Sequence, residues 1–170
     1  MRNTDNIILI GMSGAGKSTL GVLLAKALGK QFTDTDILIQ QHTGKLLQQT
    51  IDDEGVDAFL EIEEAVVSSL SLHGHVIATG GSVVYSDKAM RHLRENGASV
   101  YLCLPYEEIA GRLSNITTRG IVFKNRNDLR SVFEERLPLY RQYADVTVDC
   151  SHRDIESTLE EIINVLKKGE

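Results

Sequence analysis

The sequence predicts an α/β fold in which helices flank a parallel sheet of five strands. Three observations support this prediction. Short apolar runs alternate along the chain with longer stretches of helical period. The apolar runs are nearly continuous, which is typical of strands that are covered on both faces. Finally, the 170 residues contain no Pro/Gly/Ser-rich linker and no internal repeat, so we expect a single domain.

The predicted elements follow one another in a β-α order. Five runs are predicted as strands: NIILIG (6–11), QFTDT (31–35), HVIATG (75–80), ASVYLCL (98–104) and ADVTVD (144–149). Five segments are predicted as helices: 17–29, 36–49, 55–72, 128–144 and 154–168. In a parallel sheet, ligands bind beyond the carboxyl ends of the strands. We therefore expect the loops at 11–18, 33–36 and 79–82 to lie at one edge of the sheet.

Composition excludes several classes of protein. The 18 Lys and Arg against 24 Asp and Glu give a net charge of −6, which argues against nucleic-acid binding because that requires a basic face. No apolar stretch reaches the roughly 18 residues that a membrane span needs, and the amino terminus does not resemble a signal peptide. Cys103 and Cys150 lack metal-ligand spacing and are interpreted as reduced thiols. The expectation is a cytoplasmic monomer that acts on a small molecule.

The strongest motif is GMSGAGKST, at residues 11–19, directly after the first predicted strand. Gly11, Gly16, Lys17 and Ser18 complete the G-x-x-x-x-G-K-[ST] pattern of a P-loop. Its glycines let backbone N–H groups curl around phosphate oxygens, and the following helix directs its positive end at the same anion. The motif predicts a nucleoside triphosphate bound with Mg²⁺ in a P-loop NTPase fold. Because no N-K-x-D guanine-reading tetrad is present, ATP is the predicted donor.

A second motif, TDTD at residues 33–36, follows the second predicted strand. Asp34 and Asp36 suit two roles beside a P-loop. One carboxylate can accept a hydrogen bond from an attacking hydroxyl, and the other can hold Mg²⁺ through water. Asp and Thr are also good helix N-caps, so capping is the alternative interpretation of the same residues.

The order of the motifs resembles the shikimate kinase family. The matching stretches cover nearly the whole chain: GMSGAGKST, FTDTD, EGVDAFLEIEE, VIATGGS, YLCL…EEIAGRL, TTRGIV and EERLPLYRQYAD. This resemblance implies a nucleoside-monophosphate-kinase-like sheet, an acceptor-binding subdomain near residues 36–62 and a lid near residues 113–125. It also implies a kinase that uses Mg·ATP to convert shikimate into shikimate 3-phosphate.

The resemblance further implies which residues bind ATP. The phosphates would be bound by the loop residues Gly11, Ser13, Gly14, Ala15, Gly16, Lys17, Ser18 and Thr19. Arg112 would lie against the adenine, and Arg153 falls in the loop expected to flank the adenine. Arg119 would be the lid arginine that closes on the transferred phosphate. Lys17 and Arg119 are thus predicted to be catalytic.

On the acceptor side, the resemblance implies that Asp34 contacts the acceptor hydroxyls and is the catalytic base. Asp36, together with Ser18, would lie in the Mg²⁺ shell. Gly80 and Gly81 would present backbone N–H groups to the acceptor. Arg136 would bind a carboxylate through its planar guanidinium group. Without the resemblance, Arg112 and Arg136 would be interpreted as belonging to solvated helix faces.

Three departures from the family pattern surround the acceptor site. Leu60 stands where the family's G-E-x-x-F-R stretch has a second arginine for the carboxylate. Ser82 replaces the last glycine of a triplet, and the lid motif is RGIV at residues 119–122. A hydrogen bond to a charged group contributes roughly 1.5–3 kcal/mol, so losing the arginine would weaken carboxylate binding about 10- to 150-fold. Lys45 and Lys124 are candidates to replace it.

Two other classes of function stay open at this stage. The first is a related kinase that acts on a gluconate-like polyol, a different cyclitol or a nucleoside monophosphate, although the D-x-D loop and RLPLY argue against a nucleotide acceptor. The second is a nucleotide-binding sensor without turnover. The complete set of predicted catalytic groups argues against the sensor.

Overall fold

The computed structural model describes residues 5–114 and 129–168. Its strands are β1 (Asn6–Ile10), β2 (Gln31–Asp34), β3 (His75–Ala78), β4 (Gly97–Cys103) and β5 (Val146–Asp149). Its helices are α1 (Lys17–Leu28), α2 (Thr35–Thr43), α3 (Leu47–Glu54), α4 (Val56–Ser68), α5 (Asp87–Glu95), α6 (Tyr106–Ser114), α7 (Leu129–Tyr143) and α8 (Ile155–Lys168). A 3₁₀ turn spans Val83–Tyr85.

The five strands form one parallel sheet in the order β2-β3-β1-β4-β5. The central strand β1 pairs with β3 on one side, through Ile8 and Ile77, and with β4 on the other, through Ile8 and Ser99. The connection after β1 leads to β2 on one side of the sheet, and the connection after β3 leads to β4 on the other side. Open α/β sheets bind ligands at the carboxyl ends of the strands where the connections diverge in this way. The predicted fold class and strand number are confirmed.

The core explains why the central strands β1 and β4 are nearly continuous apolar runs. All five residues of β1 are buried, because helices cover both faces of the sheet. A smaller, separate cluster joins α2 and α4 through Ile39, Phe59 and Val66. Leu60 is only partly buried and packs at the edge of this smaller cluster. The small cluster holds the segment on which acceptor binding is predicted.

The helices differ from the prediction in three places. The stretch predicted as helical over 36–49 contains α2 and only the start of α3: Gly44 adopts a left-handed conformation with φ 68° and ends α2, and α3 continues to Glu54. The stretch predicted over 55–72 ends at Ser68. Helices α5 and α6 were not predicted. Among the described helices, none is long and apolar enough to cross a membrane.

Candidate active site

The loop that follows β1 is built to surround an anion. Gly16 is the N-cap of α1 and has φ 93°, a backbone conformation that is strained for residues with a side chain. It connects the loop to the first turn of the helix. Lys17 is buried, and its Nζ donates hydrogen bonds to the carbonyl oxygens of Gly11 at 2.7 Å and Met12 at 2.8 Å. The lysine side chain thus lies back along the loop. Its charge is held where the loop amides and the positive end of α1 also favour phosphate.

The two predicted aspartates have different surroundings. Both oxygens of Asp34 accept hydrogen bonds: Oδ2 from the Ser18 hydroxyl at 2.6 Å, and Oδ1 from the Asp36 backbone N–H at 3.0 Å. Asp34 is therefore the N-cap of α2 and at the same time a partner of the P-loop serine. The two interpretations of TDTD, capping and phosphate chemistry, are thus compatible for this residue.

Asp36 lies on the side of α2 that faces Gly80. A Cβ atom placed on Gly80 would stand 2.8 Å from Oδ1 of Asp36 and 2.5 Å from Oε1 of Glu63. Two carboxyl groups from two helices thus approach the backbone of Gly80, and a side chain at this position would require them to shift. The Gly80 amide, predicted to bind the acceptor, donates to Thr35 Oγ1 at 3.2 Å in this structure.

We expect Gly80→Ala to reduce acceptor use strongly, because the added methyl group would fill the space where Asp36 and Glu63 meet. Acceptor KM should rise at least about tenfold, the scale of one lost charge-assisted hydrogen bond. Steady-state kinetics with saturating ATP measures this. Gly111→Ala is the matched control, because a Cβ atom at that helical position meets no atom of the described residues within 4 Å. Equal KM values for the two variants would contradict the assignment of Gly80 to the acceptor site.

Arg136 is held in a buried position on α7, with only 1% of its surface exposed. Its Nε donates to the Tyr85 hydroxyl at 3.2 Å, and its guanidinium lies 5.1 Å from the centre of that ring. A Cβ atom on Gly81 would stand 3.1 Å from its Nη1, so the guanidinium packs against Gly81. Burial acts to lower the pKa of Arg136, and Tyr140 and Tyr85 act to raise it; the net direction is upward. The site keeps a permanent positive charge beside Gly81.

Glu63 was not predicted, although it is central to this site. It is 2% exposed, and its Oε2 accepts a hydrogen bond from the Ser82 hydroxyl at 2.7 Å. Burial raises the pKa of Glu63 to about 7, with Asp36 adding to the rise and Ser82, Arg136 and Lys17 opposing it. The sequence does contain a signal. On α4, Glu63 falls in register with the buried residues Phe59, Val66 and Val67, so a carboxylate interrupts the apolar face.

One pocket of about 220 Å³ joins the P-loop to the acidic loop and the glycine pair. It is lined by Ser13, Gly14, Gly16, Lys17, Ser18, Asp34, Asp36, Ile37, Gln40, Leu46, Leu47, Thr79 and Gly81. The expectation that the loops at 11–18, 33–36 and 79–82 lie at one edge of the sheet is therefore confirmed.

A second pocket, of about 270 Å³, lies on the other side of the P-loop. Ala15, Gly16 and Thr19 line it together with Arg112 and Arg153, the two residues predicted to flank adenine. Arg112 also donates to the Gly14 carbonyl at 3.2 Å, which ties its side chain to the P-loop. Arg153 forms an ion pair with Glu161 at 3.3 Å. The structure thus brings together two arginines that are 41 positions apart in the sequence.

The remaining predicted residues are placed as follows. Lys45 pairs with Asp53 at 3.0 Å and Glu54 at 3.2 Å, and so it is engaged away from Leu60. Arg119, Lys124 and most of the predicted lid (113–125) lie outside the described residues. Leu60 lines a pocket of about 260 Å³ with Glu63, Ser82 and Tyr85.

Fold and site together define a P-loop kinase, an enzyme that transfers a phosphoryl group from ATP to a small molecule. Comparison with protein families gives the particular family. The family model described as shikimate kinase matches residues 13–167. The chain belongs to the shikimate kinase family.

Individual relatives agree along nearly the full chain. A shikimate kinase from Pseudomonas paraeruginosa is 40% identical, covering 96% of this chain and 96% of the relative. One from Thiobacillus denitrificans is 39% identical, covering 91% of this chain and 86% of the relative. The solved structure of a shikimate kinase from Acinetobacter baumannii in complex with shikimate superposes with a TM-score of 0.90. That structure is 30% identical and covers 99% of this chain and 96% of its own.

Proposed function

We propose that this protein transfers the γ-phosphoryl group of Mg·ATP to a hydroxyl of shikimate, giving shikimate 3-phosphate. The observation that carries the proposal is a pocket in which the P-loop faces the TDTD loop and Gly81. The donor phosphates and an acceptor hydroxyl would meet there. The membership of the shikimate kinase family and the likeness to a structure that contains shikimate support the identity of the acceptor.

The donor site fits Mg²⁺ through Ser18 and a neighbouring carboxylate. Among residues 5–114 and 129–168, no three His, Cys, Asp or Glu side chains cluster to form a metal site of their own. A kinase does not require such a cluster, because its Mg²⁺ is bound mainly by substrate phosphates and water and takes few protein ligands. When bound, the ion would neutralise charge that develops on the phosphates. Lys17 would add a fixed positive charge beside it.

The family resemblance implies that Asp34 is the catalytic base and that Asp36 lies in the Mg²⁺ shell. We propose that these two roles are reversed. Asp34 holds the Ser18 hydroxyl at 2.6 Å, so its carboxylate lies beside an oxygen predicted to bind Mg²⁺. Its other oxygen is already engaged in capping α2. Asp36 lies against Gly80, on the acceptor side. Asp36 would therefore accept the proton of the attacking hydroxyl, and Asp34 would hold the water shell of the ion.

The acceptor's carboxylate would bind to Arg136. This guanidinium is charged, nearly fully buried and adjacent to Gly81, and it interacts with Tyr85 and Tyr140. A planar guanidinium binds a carboxylate through two parallel hydrogen bonds, which fixes the orientation of the bound molecule. The hydroxyl on the far side of the ring would then face Asp36.

A panel of acceptors tests this proposal. ADP formation is measured with ATP, Mg²⁺ and either shikimate, gluconate or a neutral cyclitol. We expect shikimate to give the highest kcat/KM, because Arg136 selects a carboxylate that the neutral cyclitol lacks. A preference for gluconate would instead favour a related polyol kinase. If none of these compounds raised ADP formation, the interpretation as a nucleotide-binding sensor would gain support.

Replacement of Leu60 tests whether the chain has lost a contact to the acceptor. We expect Leu60→Arg to lower the KM for shikimate by about tenfold, because a second guanidinium would restore a charge-assisted hydrogen bond. Leu60→Met is the matched control, since it changes shape without adding charge. An unchanged or higher KM in Leu60→Arg would indicate that the acceptor carries no negative charge at this position.

We also propose a monomer that works in a reducing compartment such as the cytoplasm. Cys103 and Cys150 are both free, although the backbone N–H of Cys150 donates to the carbonyl of Cys103 at 2.9 Å. Burial raises the pKa of Cys150 to about 12, so its thiol is unreactive at neutral pH. Sedimentation of the purified protein under reducing conditions tests the monomer.

A further inference from the structure

Tyr140, the last residue of the RLPLY stretch, connects α7 to the loop that follows β3. Its side chain is fully buried, and its hydroxyl donates a hydrogen bond to the Gly81 carbonyl at 2.6 Å. Burial raises the pKa of the Tyr140 hydroxyl, so the group stays protonated and remains a donor at neutral pH. The hydroxyl has one proton to donate. The sulfur of Met12 lies at 3.6 Å and is a weak acceptor, so the shorter contact assigns that proton to Gly81.

The ring of Tyr140 is held in place by the ring of Tyr101 on β4. The two rings are stacked, with their centres 5.1 Å apart and an angle of 18° between their planes. Tyr101 in turn contacts the first glycine of the P-loop, since a Cβ atom on Gly11 would stand 3.6 Å from its ring. Stacked rings in a closely packed core have few alternative orientations. The Tyr140 hydroxyl is therefore a fixed donor beside both loops of the site.

Gly81 lies where the donor side and the acceptor side of the pocket meet. A Cβ atom on Gly81 would stand 3.1 Å from the backbone nitrogen of Ser13 in the P-loop and 3.1 Å from Nη1 of Arg136. Glycine has more backbone freedom than any other residue, so a hydrogen bond to its carbonyl restricts the chain strongly. The carbonyl of Gly81 and the N–H of the next residue belong to one planar peptide unit. The bond from Tyr140 thus fixes the orientation of the whole unit.

We propose that Tyr140 is a positioning residue for the acceptor: its hydroxyl holds the Gly81 peptide unit in the orientation that the bound acceptor requires. The ring supports the donor side separately, through its stack on Tyr101. Without the hydroxyl, the buried carbonyl of Gly81 would lose its donor, and the peptide unit would turn toward another partner. This inference rests on the proposed function for the identity of the acceptor, and on the hydrogen bond alone for the position of Gly81.

Steady-state kinetics of Tyr140→Phe tests the inference. The substitution removes the hydroxyl but keeps the ring, so the stack on Tyr101 is retained. We expect the KM for shikimate to rise about five- to tenfold, within the range of one lost hydrogen bond. The KM for ATP and kcat should change less than about twofold, the scatter expected for an independent site. Incorporation of 4-aminophenylalanine at position 140 keeps an N–H donor in the same place and should restore the wild-type KM for shikimate.

Tyr143→Phe is the matched control. Tyr143 is also buried on α7, but its hydroxyl donates to Oδ1 of Asp87 at 3.0 Å, and neither residue lines the pocket of the P-loop. We expect this variant to lower the melting temperature about as much as Tyr140→Phe does, and to keep the wild-type KM for both substrates. A wild-type KM for shikimate in Tyr140→Phe would overturn the inference. So would an equal rise of the KM for shikimate and for ATP, because it would indicate a general loss of structure.

A crystal structure of Tyr140→Phe separates this inference from the proposed function, since it requires no acceptor. We expect the peptide unit between Gly81 and Ser82 to turn so that its carbonyl meets another donor or water, while the ring at position 140 stays stacked on Tyr101. If the peptide unit keeps its orientation, the inference fails even where shikimate is phosphorylated. If it turns but the wild-type protein does not use shikimate, the proposed function fails and the role of Tyr140 in holding Gly81 stands.

Discussion

Lys17→Met is expected to lower kcat about 10²- to 10³-fold, the usual cost of removing one preorganised group that stabilises transition-state charge. The Nζ of Lys17 is held over the P-loop by the carbonyls of Gly11 and Met12. Methionine has similar length but carries no charge. The growing charge on the transferred phosphoryl group would then lose its nearest fixed cation.

The substitution should lower kcat without unfolding the protein. Steady-state ADP formation gives kcat, and thermal unfolding shows whether the variant is folded. Lys26→Met, an exposed position near the end of the same helix, is the matched control and should keep wild-type activity. A Lys17→Met enzyme within about fivefold of wild type would contradict the placement of the donor phosphates in this loop.

Asp36→Asn is expected to lower kcat by at least about 10²-fold, the usual contribution of a positioned general base. An amide keeps the size of the side chain but does not take up the proton of the attacking hydroxyl. Asp34→Asn provides the comparison, because an asparagine at that position can still cap α2. We expect Asp34→Asn to raise the Mg²⁺ concentration needed for half-maximal rate and to lose less kcat at saturating Mg²⁺.

The two variants together decide how the aspartates divide their roles. The measurement is kcat as a function of Mg²⁺ concentration at saturating shikimate. If Asp34→Asn loses kcat at saturating Mg²⁺ while Asp36→Asn retains it, the order implied by the family resemblance is correct. The hydrogen bond between Ser18 and Asp34 would then be a feature of the ligand-free site only.

The strands and the P-loop could be predicted because their signals are local. Four of the five residues of NIILI are apolar because β1 is buried on both faces of the sheet. The glycine pattern of the P-loop follows from the loop's own backbone, since Gly16 has a positive φ. Helix α5 was missed because it is short and largely polar, with Ala89, Met90 and Leu93 as its buried residues. Its position depends on packing against the rest of the fold.

The acceptor site could be predicted only in part, since its residues meet through tertiary contacts. Asp34 and Asp36 are two positions apart, yet one faces Ser18 and the other faces Gly80; the sequence does not distinguish them. The meeting of Leu60 and Ser82 at Glu63 depends on how α4 packs beside the end of β3. Glu63, a carboxylate on the apolar face of α4, is the signal from which its place in the site could have been predicted.

The most direct test of the central claim is ³¹P NMR of a reaction containing the protein, ATP, Mg²⁺ and shikimate. The account predicts a phosphomonoester signal that grows in proportion to ADP, matches authentic shikimate 3-phosphate and grows about 10²- to 10³-fold more slowly with Lys17→Met. Formation of ADP with inorganic phosphate alone, or no reaction with shikimate at any concentration tested, would contradict phosphoryl transfer to this acceptor.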